Sequence, residues 1–264
     1  MKRPPGRFIR QFRLDADARA ADAGADRYPF TLPAVAQLAR SAGITLAPGV
    51  TFLVGENGSG KSTLVEAVAV AAGLNPEGGS RNFRFATRAS ESPLGDHLRL
   101  VRGVHKPRTE FFLRAESFYN VASEIERLDQ GAGGPPLLAS YGGVPLHERS
   151  HGESFLDVAH HRFGPEGLYL LDEPEAALSV RGCLALLARM HELVDQGSQL
   201  LVATHSPVLL ALPGATILEI ADDGTIDRVT FDQALPVRLT RAFLTAPDRF
   251  LRALLDDPAR SDDR

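Results

Sequence analysis

A glycine-rich segment, GENGSGKST at positions 55–63, constrains this chain more than any other feature. It satisfies the pattern GxxxxGK[ST] and lies between an apolar run that ends at Val54 and the helix-like run STLVEAVAVAAGL. A strand, a tight loop and a helix in this order direct backbone N–H groups and the positive end of a helix dipole toward one point. The segment therefore predicts a loop that grips a polyphosphate within an α/β fold.

Each residue type in the loop suits one part of that task. The glycines let the backbone curl inward, Lys61 supplies a point charge for the β- and γ-phosphates, and the Ser62 hydroxyl is a ligand that Mg²⁺ prefers. Thr63 is expected on the α-phosphate side. A pattern this short also matches glycine-rich turns by accident, so the interpretation depends on other segments. The predicted nucleotide-binding residues are Gly55, Glu56, Asn57, Gly58, Ser59, Gly60, Lys61, Ser62 and Thr63.

A pair of acids follows the apolar run at 168–171, which reads as a buried strand. Carboxylates at the end of such a strand are costly unless they face a cation. We therefore predict that Asp172 holds Mg²⁺ through its water shell and that Glu173 is the general base for an attacking water. The alternative is a helix N-cap at Asp172, with Pro174 and Glu175 in the first turn.

Composition limits the class of protein. A chain of 264 residues with 44% hydrophobic residues is long enough for one large α/β domain, and its net charge of −4 does not indicate an obligate nucleic-acid coat. No run approaches eighteen apolar residues, so we expect no membrane insertion. The single cysteine, Cys183, suits a reducing compartment, and a cytoplasmic location is expected.

The pattern of elements favours a single domain, residues 1–264, with an inserted lobe at about 76–150 and a flexible tail at 255–264. An alternating run around Phe8 and Phe12 predicts an edge strand, and Thr31 is a candidate cap for a short helix. Buried strands are predicted at 168–172 and 199–204, a helix from about Ala176 to Leu193, and a hairpin at 216–230.

Three further segments, in order, carry a family resemblance: SHGES at 150–154, AALS at 176–179 and THSP at 204–207. With the first two motifs they make the chain resemble ABC-type ATPases, in the subgroup of RecF, SMC and small stand-alone predicted ATPases of the AAA family. The resemblance implies a P-loop NTPase fold of ABC type, a mixed sheet flanked by helices with an inserted helical or irregular lobe. It also implies ATP and Mg²⁺ as cofactors and His205 as a γ-phosphate contact. In that family two copies meet head to tail, which implies an ATP-dependent homodimer with Ser150 and Gly152 acting in trans.

The chain departs from the family pattern at His151, where glycine is usual, and at Glu153, where glutamine is commoner. Glu116 is the candidate for the family's Q-loop position, as a ligand of metal or water; an exposed carboxylate after a strand is the alternative. Tyr28 or Phe30 is expected to stack on adenine, the alternative being a core aromatic.

The sequence leaves the driven process open. Residues 81–108 hold seven Lys or Arg against two acids, with Phe83 and Phe85 interleaved, which suggests a nucleic-acid surface or a solvated face. We expect a soluble ATPase whose ATP-driven dimerisation switches a partner or nucleic-acid process. The alternative is a nucleotide-binding subunit that energises a membrane transporter. A static ATP-binding module is disfavoured by Glu173, because such a module needs no general base.

Overall fold

Nine strands and seven α-helices are assigned in the computed structural model, which describes residues 4–15, 27–80, 93–118, 123 and 150–255. The strands are β1 (Ile9–Leu14), β2 (Ile44–Thr45), β3 (Val50–Gly55), β4 (Leu98–Arg102), β5 (Glu110–Arg114), β6 (Leu168–Asp172), β7 (Gln199–Ala203), β8 (Thr216–Ile220) and β9 (Ile226–Val229). The helices are α1 (Pro33–Arg40), α2 (Lys61–Ala72), α3 (His151–His161), α4 (Val180–Asp195), α5 (Pro207–Leu210), α6 (Leu235–Thr245) and α7 (Pro247–Leu255). Two 3₁₀ turns cover Pro93–His97 and Pro174–Ala177.

The larger sheet has six strands in the order β5-β6-β7-β3-β8-β9, all parallel except β9, which pairs antiparallel with β8. Strands β3, β6 and β7 are buried along their whole length. Helices cover both faces of a parallel sheet, which is why these strands are continuous apolar runs rather than alternating ones. The α/β fold with a mixed sheet flanked by helices, expected from the sequence, is confirmed.

The smaller sheet has three antiparallel strands in the order β2-β1-β4. The prediction of an edge strand near Phe8 is right about the strand and wrong about its place, because β1 lies between two partners. Ile9 and Phe12 are fully buried in β1. They join α1 and α2 in the apolar cluster on one face of the large sheet, and the register shift between Ile9 and Gln11 brings these two side chains, three residues apart, to the same side.

Two apolar clusters hold the large sheet between its helices. On one face Phe155 of α3 and Leu186 and Met190 of α4 pack against the strands. On the other face α2 contributes Leu64 and Val68. Cys183 is a buried free thiol within the first cluster, as its position on a helix suggested.

Two predicted helix starts were wrong. Helix α1 begins at Pro33 with Leu32 as its N-cap residue and no side-chain cap, so Thr31 does not cap it. The helix expected from Ala176 is interrupted by the 3₁₀ turn, and α4 begins at Val180, where the Ser179 hydroxyl accepts from the Gly182 N–H. A serine cap three residues after Ala176 thus decided this boundary.

Part of the segment predicted as an inserted lobe, about 76–150, belongs to the sheets. Strand β4 pairs with β1, and β5 is the edge strand of the large sheet, next to β6. The sequence indicated a strand before Glu116, but the consecutive buried residues Phe111, Phe112 and Leu113 gave no alternating pattern that would place it in the large sheet. Residues 81–92, 119–122, 124–149 and 256–264 lie outside the description, and with them most of the predicted lobe and tail.

The C-terminal helices α6 and α7 were not predicted. Their polar and apolar residues are at helical spacing, but no residue of α7 is buried. Within the described ranges, no helix is long and apolar enough to cross a membrane.

Candidate nucleotide site

A cleft of about 750 Å³ opens where β3 and β6 end and α2 begins. The carboxyl ends of parallel strands share one edge of a sheet, and ligands of α/β folds bind there. Strand β7 separates β3 from β6, and its Ala203 is in register with both Leu53 and Asp172. The residues lining the cleft are Tyr28, Leu32, Asn57, Gly58, Gly60, Lys61, Ser62, Thr63, Arg114, Ala115, Glu116, Phe118, Asp172, Glu173, Ala176 and Ala177.

The glycine loop has the backbone that the sequence motif predicts. Gly58 and Gly60 have φ values of 81° and 101°, a left-handed region where a side chain is strained, and Gly60 is the N-cap of α2. Lys61 is buried, and its Nζ donates to the carbonyls of Gly55 (2.9 Å) and Glu56 (3.0 Å). Burial lowers the pKa of Lys61, while Glu173 and Asp172 oppose that shift. The loop thus carries a cation at its centre.

Asp172 lies at the buried end of β6, only 3% exposed. Burial raises its pKa to about 6, although Arg114 and the Ser62 hydroxyl favour the ionised form. Arg114 Nε is 3.1 Å from Asp172 Oδ2, and Arg114 Nη1 donates to Glu66 Oε2 at 2.8 Å. Two buried carboxylates therefore share one guanidinium.

Glu173 lies at the cleft with its side chain 39% exposed. Its backbone is in the left-handed region (φ 47°), and its N–H donates to Ala203 at 3.0 Å. His205 follows β7, and its Nε2 is 3.7 Å from Glu173 Oε1. The backbone N–H of His205 donates to the Glu175 carboxylate. A left-handed backbone at a non-glycine residue such as Glu173 costs about 1–3 kcal/mol of conformational free energy and is typical of functional sites.

The donors at the cleft fit Mg²⁺. Ser62 Oγ and the Asp172 carboxylate are hard oxygen ligands, and Asp172 Oδ1 is buried without a well-aligned hydrogen bond from any described residue. No group of three or more His, Cys, Asp or Glu side chains suited to a metal occurs in the part of the chain described. A Mg²⁺ ion at Ser62 and Asp172 would take its other ligands from phosphate oxygens and water, as is usual for this ion.

Three weaker predictions fall near the cleft. The Glu116 side chain lines it, is 86% exposed, and lies 3.7 Å from Arg114 Nη2. Tyr28 also lines it and is exposed, whereas Phe30 is buried and packs edge-on against His97. Of the two adenine-stacking candidates, only Tyr28 reaches the cleft. Phe30 is a core aromatic, the alternative that the sequence left open.

Ser150 and Gly152 lie at the start of α3. Ser150 and Glu153 form a reciprocal capping box: Ser150 Oγ accepts from the Glu153 N–H, and Glu153 Oε2 accepts from the Ser150 N–H at 3.1 Å. Both residues line a second cleft with Leu178 and Ser179. Neither Ser150 nor Gly152 lines the cleft that contains Lys61. Ala177 lines that cleft and the second cleft as well.

Only part of the predicted arginine-rich surface can be located, because residues 81–92 lie outside the description. Arg102, Lys106 and Arg108 line a cleft of about 760 Å³ together with Arg162 and His161 of the α3 end. Arg108 is paired with Glu166 at 2.7 Å. This basic cleft includes the start of β5, at the opposite end of that strand from Arg114.

A protein-family model described as an AAA domain matches residues 35–127, about a third of the chain, including the glycine loop and α2. Strand β3, the glycine loop and α2 form the strand–loop–helix unit of a phosphate-binding P-loop. The match contains the glycine loop and agrees with the AAA part of the resemblance that the sequence motifs carry. No curated protein is significantly similar in sequence to this P-loop chain.

Among solved structures, the P-loop chain is similar to the SMC head domain from Thermotoga maritima. That likeness has 16% identity and a TM-score of 0.38, and covers 71% of this chain and 92% of that one. It is also similar to an ABC transporter of the metal-chelate type in an inward-facing conformation. Here the identity is 15% and the TM-score 0.44, with 74% of this chain and 77% of that one covered.

Three residues at this site were not predicted from the sequence: Arg114, Glu66, and Glu175 as the acceptor of the His205 backbone N–H. Arg114 ends a strand that the sequence did not place in the large sheet, and Glu66 faces it from the buried side of α2. The signal available was a buried-type run, EFFLR, ending in a charge, the same pattern that located Asp172.

Proposed function

We propose that this chain binds ATP with Mg²⁺ and hydrolyses it. The observation that carries the proposal is that Lys61, Ser62, Asp172 and Glu173, which come from two distant sequence motifs, line one cleft. A loop of backbone N–H groups, a buried ammonium, oxygen ligands for a metal and a carboxylate for water are the parts that phosphoryl transfer to water requires.

Each part has a task in the proposed reaction. Lys61 leaves its loop carbonyls to contact the β- and γ-phosphates, whose charge increases in the transition state. Ser62 and, through water, Asp172 would hold Mg²⁺, which would supply neutralisation of the phosphate charge. Glu173 takes a proton from the attacking water, and His205 contacts the γ-phosphate beside it.

Replacing Glu173 tests hydrolysis separately from binding. Glu173→Gln keeps the side-chain shape and removes the base, so turnover is expected to fall by roughly 10² to 10⁴ while ATP still binds. Steady-state phosphate release measures turnover, and equilibrium binding of a fluorescent ATP analogue measures affinity. Wild-type turnover in this variant would remove Glu173 from the chemistry.

We further propose that two copies meet head to tail, with Ser150 and Gly152 of one copy closing on the ATP of the other. Two features support this. Ser150 and Gly152 start a helix, whose positive end favours phosphate, and they line a different cleft from Lys61 within one chain. The segment around Ala177 borders both clefts and is suited to linking them.

Mixing two inactive variants tests this arrangement. Ser150→Asp keeps a good helix cap but brings a negative charge toward the γ-phosphate, and Lys61→Ala disables the P-loop. Each variant alone is expected to be inactive, whereas an equal mixture should recover about a quarter of the wild-type rate, since half of the dimers contain one intact composite site. Ser150→Asn, a cap without the charge, is the control. No recovery on mixing would contradict the trans arrangement.

A polyanionic partner such as nucleic acid is the second part of the proposal, supported by the basic cleft of Arg102, Lys106 and Arg108. Affinity for labelled DNA is expected to fall steeply between 50 and 200 mM salt, by about tenfold or more for a few phosphate contacts. Reversing the charge of Lys106 and Arg102 should weaken it further. DNA affinity that is unchanged by added salt and by charge reversal would exclude this surface as a nucleic-acid site.

We also propose a cytoplasmic location for this chain. The free thiol of Cys183 is compatible with it.

A further inference from the structure

Arg114 occupies a position next to the proposed metal ligand. It ends β5 in register with Asp172 at the end of β6, and in-register residues of neighbouring parallel strands project from the same side of the sheet. Arg114 Nε lies 3.1 Å from Asp172 Oδ2, and the guanidinium is 22% exposed. The cation is therefore held against the carboxylate on which the metal site depends.

The same guanidinium also reaches the P-loop helix. Its Nη1 donates to Glu66 Oε2 at 2.8 Å, and the Glu66 side chain is 10% exposed. Glu66 follows Ser62 by four residues on α2, so both project from one face of that helix. Arg114 consequently joins the helix that carries Ser62 to the strand that carries Asp172.

We infer that Arg114 is a positioning residue for magnesium: it fixes the Asp172 carboxylate relative to Ser62 so that both can serve the same ion. This inference rests on the proposed function. The guanidinium presents separate nitrogens to two carboxylates: Nη1 donates a hydrogen bond to Glu66 and Nε is ion-paired with Asp172, which the single ammonium of a lysine does not reproduce. Without Arg114, the Asp172 and Glu66 carboxylates would lose the cation that joins them, and the Asp172 carboxylate would be free to turn away from Ser62.

A direct phosphate contact is the competing role, because Arg114 also lines the nucleotide cleft. The two roles differ in their metal dependence. A positioning residue affects only the gain in affinity that Mg²⁺ provides, whereas a phosphate contact affects binding with and without metal.

The test measures binding of fluorescent ADP to the full chain in EDTA and in a Mg²⁺ titration, together with Mn²⁺ binding followed by electron paramagnetic resonance. For Arg114→Gln we expect unchanged affinity in EDTA and a 10- to 100-fold loss of metal affinity, the usual cost of removing a group that orients a ligand. Arg114→Lys should recover part of that loss. Thermal unfolding without nucleotide identifies a variant that fails to fold, and in that case the milder Arg114→Lys decides the test.

Arg99→Gln is the matched control, since Arg99 also contacts a carboxylate, that of Asp15, through its Nε, but on the smaller sheet. It is expected to behave as wild type. Wild-type metal affinity in Arg114→Gln, or an equal loss of affinity in EDTA and in Mg²⁺, would overturn the inference. If the wild-type chain itself shows no Mg²⁺-dependent nucleotide binding, the proposed function fails instead.

Discussion

The imidazole of His205 and the carboxylate of Glu173 face each other, with Nε2 3.7 Å from Oε1. They follow neighbouring strands β7 and β6, and a hydrogen bond from the Glu173 N–H to the Ala203 carbonyl joins the two strand ends. The proposed base, Glu173, and the proposed phosphate contact, His205, are thus positioned by two strand ends that are hydrogen-bonded to each other. A shift of one strand end would move both side chains.

His205→Ala is expected to lower kcat by about 10²-fold, the usual cost of removing one donor to developing negative charge, and to change KM little. His205→Gln, which keeps a donor, should retain part of the rate. Phosphate release over a range of ATP concentrations separates kcat from KM. A rate equal to the wild type in His205→Ala would show that the histidine does not contact the transferring phosphoryl group.

Tyr28 and Phe30 offer a matched pair for the base site. Tyr28→Ala should weaken ATP binding by about 1–3 kcal/mol, the range for a lost aromatic stack on a base, and Tyr28→Phe should not. Phe30→Ala removes a buried ring and is expected instead to lower the free energy of unfolding by about 3–5 kcal/mol. Fluorescent nucleotide binding and denaturant unfolding measure the two effects. Equal affinities for Tyr28→Ala and the wild type would exclude Tyr28 from the base site.

Metal-dependent nucleotide binding should weaken as the pH falls through about 6. The pKa of Asp172 is raised to about 6, so its carboxylate takes up a proton there, and a neutral carboxyl is a poor metal ligand. The raised pKa means that the ionised, metal-binding form dominates above pH 6 and is lost below it. Mg²⁺ titrations of ADP binding at pH 5.5, 6.5 and 7.5 would follow the loss. Asp172→Asn is the control, since its metal affinity should be low throughout. A profile shared by both proteins would assign the titration to another group, such as the nucleotide phosphate.

Lys61→Ala is expected to reduce ATP affinity by about 10- to 100-fold, since hydrogen bonds to charged groups contribute about 1.5–3 kcal/mol. The variant also removes donors from the carbonyls of Gly55 and Glu56, so the unfolding midpoint must be compared with the wild type. Equilibrium dialysis with labelled ATP gives the affinity directly. Unchanged affinity in a folded variant would contradict the assignment of the loop.

Much of the site could be predicted from the sequence because its parts are contiguous. Residues 55–63 form the loop through local conformation, and the burial of β6 delivers Asp172 to a strand end whatever its neighbours are. The family resemblance added Ser150, Gly152 and His205, and their roles remain predictions. The adenine side was left open between Tyr28 and Phe30, because exposure is a property of packing rather than of residue type.

By itself, the sequence determined the α/β fold class, the strand–loop–helix unit at β3 and α2, and the carboxylate pair, all of which depend on local patterns. The tertiary structure alone decided that β1 lies inside its sheet and that β5 joins the large sheet. It also placed Arg114 between Asp172 and Glu66, residues separated from it by 58 and 48 positions. Such contacts leave no periodic signal in the chain, because strand pairing depends on which apolar surfaces are buried together.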